Sequence, residues 1–263
     1  MDMDLGGRTA FVSGSSGGIG YAVASALTAE GADVVLNGRD RGRVDAAVAR
    51  LRQEHPGSRP SGVVADFTDP AAVQRLLDGL GAVDILVNNV GLFDLAPFEL
   101  ISDEVWDRYF DVNVMSGVRL SRHLLGGMLD RGWGRIIFIS SESGVNVPAD
   151  MVHYGVTKAA VLALANGLAK RTRGTAVTIN SVLGGPTYSD GVAATVEALA
   201  AERSVPPETV KAAIIGQNAT TLLGRFIAPV EIAHLVTYLA SPLASATNGA
   251  AVRADGGALT GLL

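Results

Sequence analysis

The chain contains no cysteine. Disulfides, thiolate nucleophiles and cysteine-bearing metal sites are excluded together. Its four histidines, His55, His123, His153 and His234, are scattered. Neither H-x-H nor H-E-x-x-H spacing occurs, so no metal centre is expected. Basic blocks are missing and the net charge is −5, which argues against nucleic acid as a partner. No apolar run approaches the ~18 residues a membrane span needs. The opening MDMDLGGR is acidic where a secretion signal would be basic. These absences lead us to expect a soluble cytoplasmic protein. Lysine is also scarce. Of 21 basic residues, only Lys158, Lys170 and Lys211 are lysines, so a position that keeps lysine in this chain points to a need for lysine there.

What is present suits a sizeable core: 263 residues, 48% of them hydrophobic. Short apolar runs alternate with longer helical patterns. TAFVSG (9–14), DVVLN (33–37), GVVADF (62–67), DILVNN (84–89), RIIFIS (135–140), TINSVL (178–183) and AAVRAD (250–255) read as strands. Helices are expected over 19–31, 41–55, from Pro70, from Ser102 to about Arg131 with a break near Asn113, over 151–171 and over 229–240. Asp69 and Pro70 carry an N-cap and first-turn signature. Strands apolar throughout, separated by helices, mean an α/β fold: one doubly wound parallel sheet, Rossmann-like, of about seven strands with helices on both faces. No linker or repeat divides residues 1–263, so a single domain is expected. The stretch 184–228 has no strand pattern and reads as a helical excursion over the site.

The first strand runs into SGSSGGIG, Ser13 to Gly20, and a helix follows at once. Gly14, Gly18 and Gly20 allow a tight turn and close approach of a pyrophosphate to the free N–H groups of that helix. No G-x-x-x-x-G-K-[ST] loop is present. Gly14 to Gly18 also fits G-x-S-x-G, the elbow of hydrolases, but at a first strand nothing upstream can supply an oxyanion loop.

HYGVTK, 153–158, sets a phenol and an ammonium four residues apart. On a helix, Tyr154 and Lys158 lie one above the other. A cation ~4–5 Å from a phenol contributes about 3–4 kcal/mol at an effective dielectric near 20, or two to three pK units. One lysine is therefore expected to make the tyrosine usable for proton transfer near neutral pH.

Together these residues resemble the short-chain dehydrogenase/reductase family across essentially the whole chain. SGSSGGIG is similar to the family's T-G-x-x-x-G-x-G, with Ser13 for threonine. Asn88-Asn89-Val90-Gly91 is similar to its N-N-A-G, Asn113 to its helix asparagine, and Tyr154 and Lys158 to its Y-x-x-x-K. Ser141, thirteen residues before Tyr154, matches its catalytic serine, with Ser140 the near miss and Ser143 a weaker candidate. The resemblance implies an NAD(P)(H)-dependent oxidoreductase interconverting a carbonyl and a secondary alcohol, with Asn113, Ser141, Tyr154 and Lys158 catalytic and Tyr154 the acid/base. It implies that Asn113 holds a water for proton relay. Implied cofactor contacts are Ser13, Gly14, Ser16, Gly18, Ile19, Gly20, Arg39, Asp66, Phe67, Asn89, Gly91, Gly185 and Thr187, with Tyr154 and Lys158. Where the family usually has P-G after its sixth strand, this chain has Gly184-Gly185-Pro186-Thr187, and losing the proline is expected to free the backbone there.

Cofactor choice is read after the second strand. The discriminating acid would fall at Gly38 and is absent, while Arg39 follows and suits a 2′-phosphate. NADP(H) is therefore favoured and NAD(H) remains open. Asp40 beside Arg39, and Gly17 where many NADP(H) members carry arginine, count the other way. Val145, Val147, Met151 and His153 are the expected pocket walls, pointing to an apolar or weakly polar small molecule. Alternatives are a 3-oxoacyl thioester reductase of the same family, or a non-catalytic dinucleotide-binding regulator. A homotetramer is expected from the resemblance and from the apolar GGALTGLL tail.

Overall fold

Each apolar strand must cover both of its faces, and helices do so on both sides of one sheet. The computed structural model describes residues 2–217 and 221–262. The strands are β1 (Thr9–Val12), β2 (Asp33–Gly38), β3 (Ser61–Val64), β4 (Ile85–Asn88), β5 (Trp133–Ser141), β6 (Ala176–Gly184) and β7 (Ala251–Ala254). Between them run α1 (Gly18–Ala29), α2 (Arg41–Glu54), α3 (Pro70–Gly79), α4 (Asp103–Phe110), α5 (Ser116–Asp130), α6 (Val152–Ala169), α7 (Asp190–Arg203), α8 (Pro207–Gln217) and α9 (Pro229–Ala240). The sheet is parallel, in the order β3-β2-β1-β4-β5-β6-β7. Chain direction across the sheet reverses between β1 and β4. Their C-terminal ends form the crevice where such sheets bind ligands.

Strand alternation divides the core in two. Val12, Leu36, Val87, Ile139 and Val182 face α1, α2 and α9. Phe11, Leu86, Ile136, Phe138 and Ile179 face α3, α5 and α6. At the foot of β5 the fully buried Arg135 donates to the carbonyls of Gly134, Ala176 and Ser241. Burial draws its guanidinium down to about 10.

β1 and β3 stop two and three residues short of the sequence reading, for local reasons. β1 ends at Val12 because Gly14 turns out of the sheet at φ +60°. β3 ends at Val64, after which the Asp66 carboxylate accepts bonds from the Thr68 N–H and hydroxyl and turns the chain. Asp69 caps α3 through the Ala71 N–H, with Pro70 in the first turn. Asp40, beside Arg39, caps α2 by accepting the Arg43 N–H at 2.8 Å. The expected break at Asn113 is a π-helical turn, Asp111–Met115, between α4 and α5. The Ser116 hydroxyl donates to the Val112 carbonyl there at 2.6 Å.

Between residues 184 and 228 lie α7 and α8, packed around Val196, Ala200 and Val210. Its two ends are pinned together. Ile227 donates to Pro186 and Tyr188 donates to Ile227, both through the backbone. The excursion thus leaves and rejoins the body beside Thr187. Among the described residues, no helix is long and apolar enough to cross a membrane.

Candidate active site

The glycine-rich turn is held from β4. Asn89 Nδ2 donates to the carbonyls of Ser13 and Gly14, at 3.1 and 2.9 Å. A Cβ at Gly20 would lie 2.4 Å from the Gly14 carbonyl, so only glycine permits this approach. The first residue of α1 has no side-chain cap, and its N–H is taken by a carboxylate from elsewhere. Gly18 N–H donates to Asp190 Oδ2 at 2.8 Å, across 172 residues. An acidic group already sits where the helix N-terminus favours an anion. The turn therefore fits a pyrophosphate. Ser16 faces the neighbouring cavity. Ser13 plays another part: it is fully buried, donates to the Val87 carbonyl and accepts from the Asn89 and Val90 N–H groups. It ties β1 to β4. Ile19, partly buried, packs into the core beside α1.

Beyond the turn lies a cavity of about 300 Å³ lined by Gly38, Arg39, Arg43, Asp66, Phe67 and Arg108 among others. Three guanidiniums around one hollow beside an acid-free Gly38 make a place for a phosphate on the ribose. Backbone and hydroxyl hydrogen bonds from Thr68, with the Arg39 and Arg108 charges, hold the Asp66 carboxyl below its usual range despite burial. Phe67 is buried and forms a wall.

The reacting end forms where β5 runs into a 3₁₀ turn, Glu142–Gly144, against α6. Ser141 ends the strand, and its hydroxyl donates to Glu142 Oε2 at 2.5 Å while accepting the Ser143 N–H at 3.1 Å. Ser140 points elsewhere and donates to the Lys158 carbonyl. Lys158 is buried, 5% exposed. Its Nζ donates to the Ile139 carbonyl at 2.9 Å and lies 5.5 Å from the Tyr154 ring centre. Burial pulls this ammonium down to about 8. The Tyr154 phenol is pushed up by burial; the Ser141 hydroxyl opposes the rise, and the charges of Glu142 and Tyr109 add to it. The expected lowering of the phenol by Lys158 is not what the site shows: burial dominates and raises it.

Asn113 is buried. Its Oδ1 accepts the Leu92 N–H at 2.7 Å, and its Nδ2 donates to the Leu92 carbonyl and Thr157 Oγ1, each at 3.0 Å. The side chain fastens the β4–α4 loop to α6, so a relay water at this residue would have to use its backbone. Gly91 packs close by: a Cβ there would stand 3.4 Å from Lys158 Nζ and 3.6 Å from Asn113 Oδ1.

Residues 8–200 match the short chain dehydrogenase family. The chain belongs to that family. It is 41% identical over 258 residues to the uncharacterized oxidoreductase YvaG of Bacillus subtilis, covering 98% of each chain. It is 34% identical to D-beta-hydroxybutyrate dehydrogenase of Cupriavidus necator, covering 96% of this chain and 98% of that one. Among solved structures it resembles L-sorbose reductase of Gluconobacter frateurii, complexed with NADPH and L-sorbose. There the TM-score is 0.94 and the identity 31%, over 100% of both chains. The chain is an oxidoreductase.

In this short chain dehydrogenase the pocket residues separate. Val145 and Val147 are exposed near the reacting end and Met151 is half-buried beside them. His153 faces away. It is 1% exposed and lies against the rings of Tyr109, at 4.1 Å, and Trp106, at 6.2 Å. Burial lowers its basicity. It is held inside the α4–α6 contact and does not line the cleft. Gly184 pairs with Ser141 within the sheet, which restrains the backbone that losing a proline was expected to free. The neighbouring glycine is the necessary one: a Cβ at Gly185 would lie 2.3 Å from the Asp255 carbonyl. Thr187 is buried and donates to the Gly185 carbonyl at 2.8 Å.

Four residues were not singled out from sequence: Arg43, Arg108, Glu142 and Asp190. Arg43 had a signal, since it falls in the first turn of α2, one turn after Arg39. Phe93 also escaped notice; its ring meets Tyr154 edge-on at 6.5 Å and a Cβ at Gly191 would touch it.

Proposed function

We propose that this dehydrogenase interconverts a ketone and a secondary alcohol with NADP(H) in preference to NAD(H), and that Tyr154 carries the proton. The observation that carries the reading is the meeting of Ser141, Tyr154 and Lys158 at the C-terminal end of β5, next to the glycine turn. A bound nicotinamide dinucleotide would supply the hydride in reduction and accept it in oxidation. Gly14, Gly18 and Gly20 would admit its pyrophosphate, Arg39 and Arg43 a 2′-phosphate, and Gly91, Lys158 and Thr187 its nicotinamide end.

The residues divide the remaining work. In reduction the substrate oxygen gains a proton from the Tyr154 phenol, and the phenolate left behind is stabilised by the Lys158 ammonium. Ser141 donates a hydrogen bond to the same oxygen as negative charge develops. A phenol that stays protonated at neutral pH can serve as the acid in reduction. The NADPH bound by L-sorbose reductase supports the cofactor choice. Phe93, Val145, Val147 and Met151 bring apolar surface to the cleft and favour an apolar or weakly polar ketone. Self-assembly as a homotetramer is supported by β7, an edge strand, and by exposed Val230, Tyr238 and Leu243 on and beside α9.

Turnover of a ketone panel with each cofactor tests the reading. Oxidation of NADPH with some ketone, at higher kcat/KM than NADH, is expected. No turnover with either cofactor, while both bind, would instead point to a regulator.

A further inference from the structure

Ser141 has one hydrogen to give, and two acceptors compete for it. We propose that Glu142 is a positioning residue for the reaction: its carboxyl either holds the Ser141 hydrogen or releases it toward the substrate oxygen. The proposal rests on the roles given above to Ser141 and Tyr154.

The geometry is as follows. The Ser141 hydroxyl carries one donor hydrogen and two acceptor lone pairs. One lone pair accepts the Ser143 N–H at 3.1 Å, and the hydrogen goes to Glu142 Oε2 at 2.5 Å. That is the short distance of a charge-assisted bond to an ionised carboxylate. Glu142 Oε1 is 3.4 Å from the Ser143 hydroxyl that donates to it. While Glu142 is ionised, its carboxylate is the stronger acceptor and the Ser141 hydrogen points away from the cleft. Once Glu142 is protonated, its carboxyl is the weaker acceptor and no longer holds that hydrogen, while the Tyr154 phenol remains within reach of the Ser141 oxygen. The Ser141 hydrogen is then available to a carbonyl oxygen. No bond is made or broken in this step beyond the transfer of one proton between solvent and Glu142.

The surroundings favour the neutral carboxyl more than solvent would. Burial pushes Glu142 up, and the bonds from Ser141 and Ser143 oppose that rise. The turn packs chiefly against α6 and β6. β6 carries no titratable side chain. The titratable groups of α6 are Tyr154, which feels the Glu142 charge, Lys158, whose ammonium is turned to the Ile139 carbonyl, and His153, turned to the α4 rings. No salt bridge neutralises Glu142 among the described residues. An ionised Glu142 also pushes the Tyr154 phenol up, so protonating it acts on both donors to the substrate oxygen.

The test is the pH dependence of kcat for ketone reduction in the wild type, Glu142→Gln and Glu142→Ala, with NADPH affinity by fluorescence and thermal denaturation as checks on folding. The wild type is expected to gain turnover as pH falls through the Glu142 titration. Glu142→Gln fixes the neutral pattern, because its amide carries no charge and is a weaker acceptor for the Ser141 hydrogen than a carboxylate. It should lose that limb and match or exceed the wild type at alkaline pH. Glu142→Ala should lose the limb as well and, at the pH where Glu142 is neutral, fall about tenfold below the wild type in kcat with little change in KM. A Glu142→Gln enzyme that binds NADPH normally yet keeps the wild-type limb, or that is as slow as Glu142→Ala, overturns the proposal. So does Glu142→Ala within twofold of wild type at the pH where Glu142 is neutral. The Tyr154 reading stands or falls separately, on loss of turnover in Tyr154→Phe.

Discussion

Lys158 reaches to 5.5 Å from the centre of the Tyr154 ring but gives its hydrogen bond to the Ile139 carbonyl, 2.9 Å away. The two side chains therefore meet through charge and not through a shared proton. At that separation an ammonium favours a phenolate by about 3 kcal/mol at an effective dielectric near 20. Burial costs both charged forms and dominates, raising the phenol and lowering the ammonium to about 8. The pair is thus a store of opposing effects: a phenolate formed during reduction strengthens the hold of Lys158 on its proton.

Tyr154→Phe keeps the ring against Phe93 and removes only the proton carrier. Turnover should fall by about 100-fold or more, with cofactor affinity within a few-fold of wild type. Lys158→Ala should damage both. Stopped-flow kinetics and fluorescence titration separate the two effects. More than about a tenth of wild-type rate in Tyr154→Phe, outside the range for losing an acid–base group, would remove Tyr154 from the mechanism.

Stability should rise with pH above about 8 because of Lys158. Its ammonium titrates at 10.5 when free and at about 8 in the fold. Between those values the unfolded chain binds a proton that the folded one has released, so the slope of unfolding free energy with pH is positive. The raised Tyr154 and Tyr21 act in the opposite sense, but only above about 10, where a free tyrosine titrates. Urea unfolding of the apoprotein from pH 8 to about pH 9.5 should show the rise, and Lys158→Met should flatten it. An equal slope in the two proteins would refute the assignment.

Arg39 and Arg43 should share the cofactor's 2′-phosphate. Arg39→Ala and Arg43→Ala are each expected to lower kcat/KM for NADPH about tenfold and to leave NADH nearly unchanged, as for losing one charge-assisted contact. Comparing the two cofactors in each variant checks this. An Arg43→Ala enzyme with wild-type NADPH kinetics would leave Arg39 alone in that role.

Asp190 occupies the Gly18 N–H with its own carboxylate, at 2.8 Å. A dinucleotide phosphate entering there must displace it. Asp190→Asn should weaken the internal contact and tighten NADP(H) binding by about three- to tenfold, a shift of about 1 kcal/mol. Unchanged or weaker binding by fluorescence titration would mean that Asp190 does not compete.

The order of strands and helices was legible because each apolar run and each cap is a local signal. Asp69 and Pro70, the break at Asn113 and the helix opening at Pro229 could be read from a few neighbouring residues. The family resemblance located Tyr154, Lys158 and Ser141 by spacing. Asp190 lay out of reach because its partner, Gly18, is 172 residues away. Arg108 enters the cavity from α4, and only the folded chain brings it to the hollow that Arg39 lines. His153 was misjudged because sequence neighbours Tyr154 on a helix point in different directions, about 100° apart. Ser13 matched a motif threonine, yet its hydroxyl is spent on joining two strands.

The π turn at Asp111–Met115 has a length as well as a shape. An i→i+5 turn holds one residue more than the α-helix on either side of it. The α4–α5 rod therefore contains a surplus residue, absorbed at Asn113, so that Tyr109 before it and Leu120 after it both still face the core. Deleting Val114 would convert the segment to regular helix and leave those two faces in phase. It would remove only the bulge, and with it the clasp from Asn113 to Leu92 and Thr157. Chain length at this one point is thus separable from folding, and a shortened protein should remain compact while its β4–α4 loop comes loose from α6.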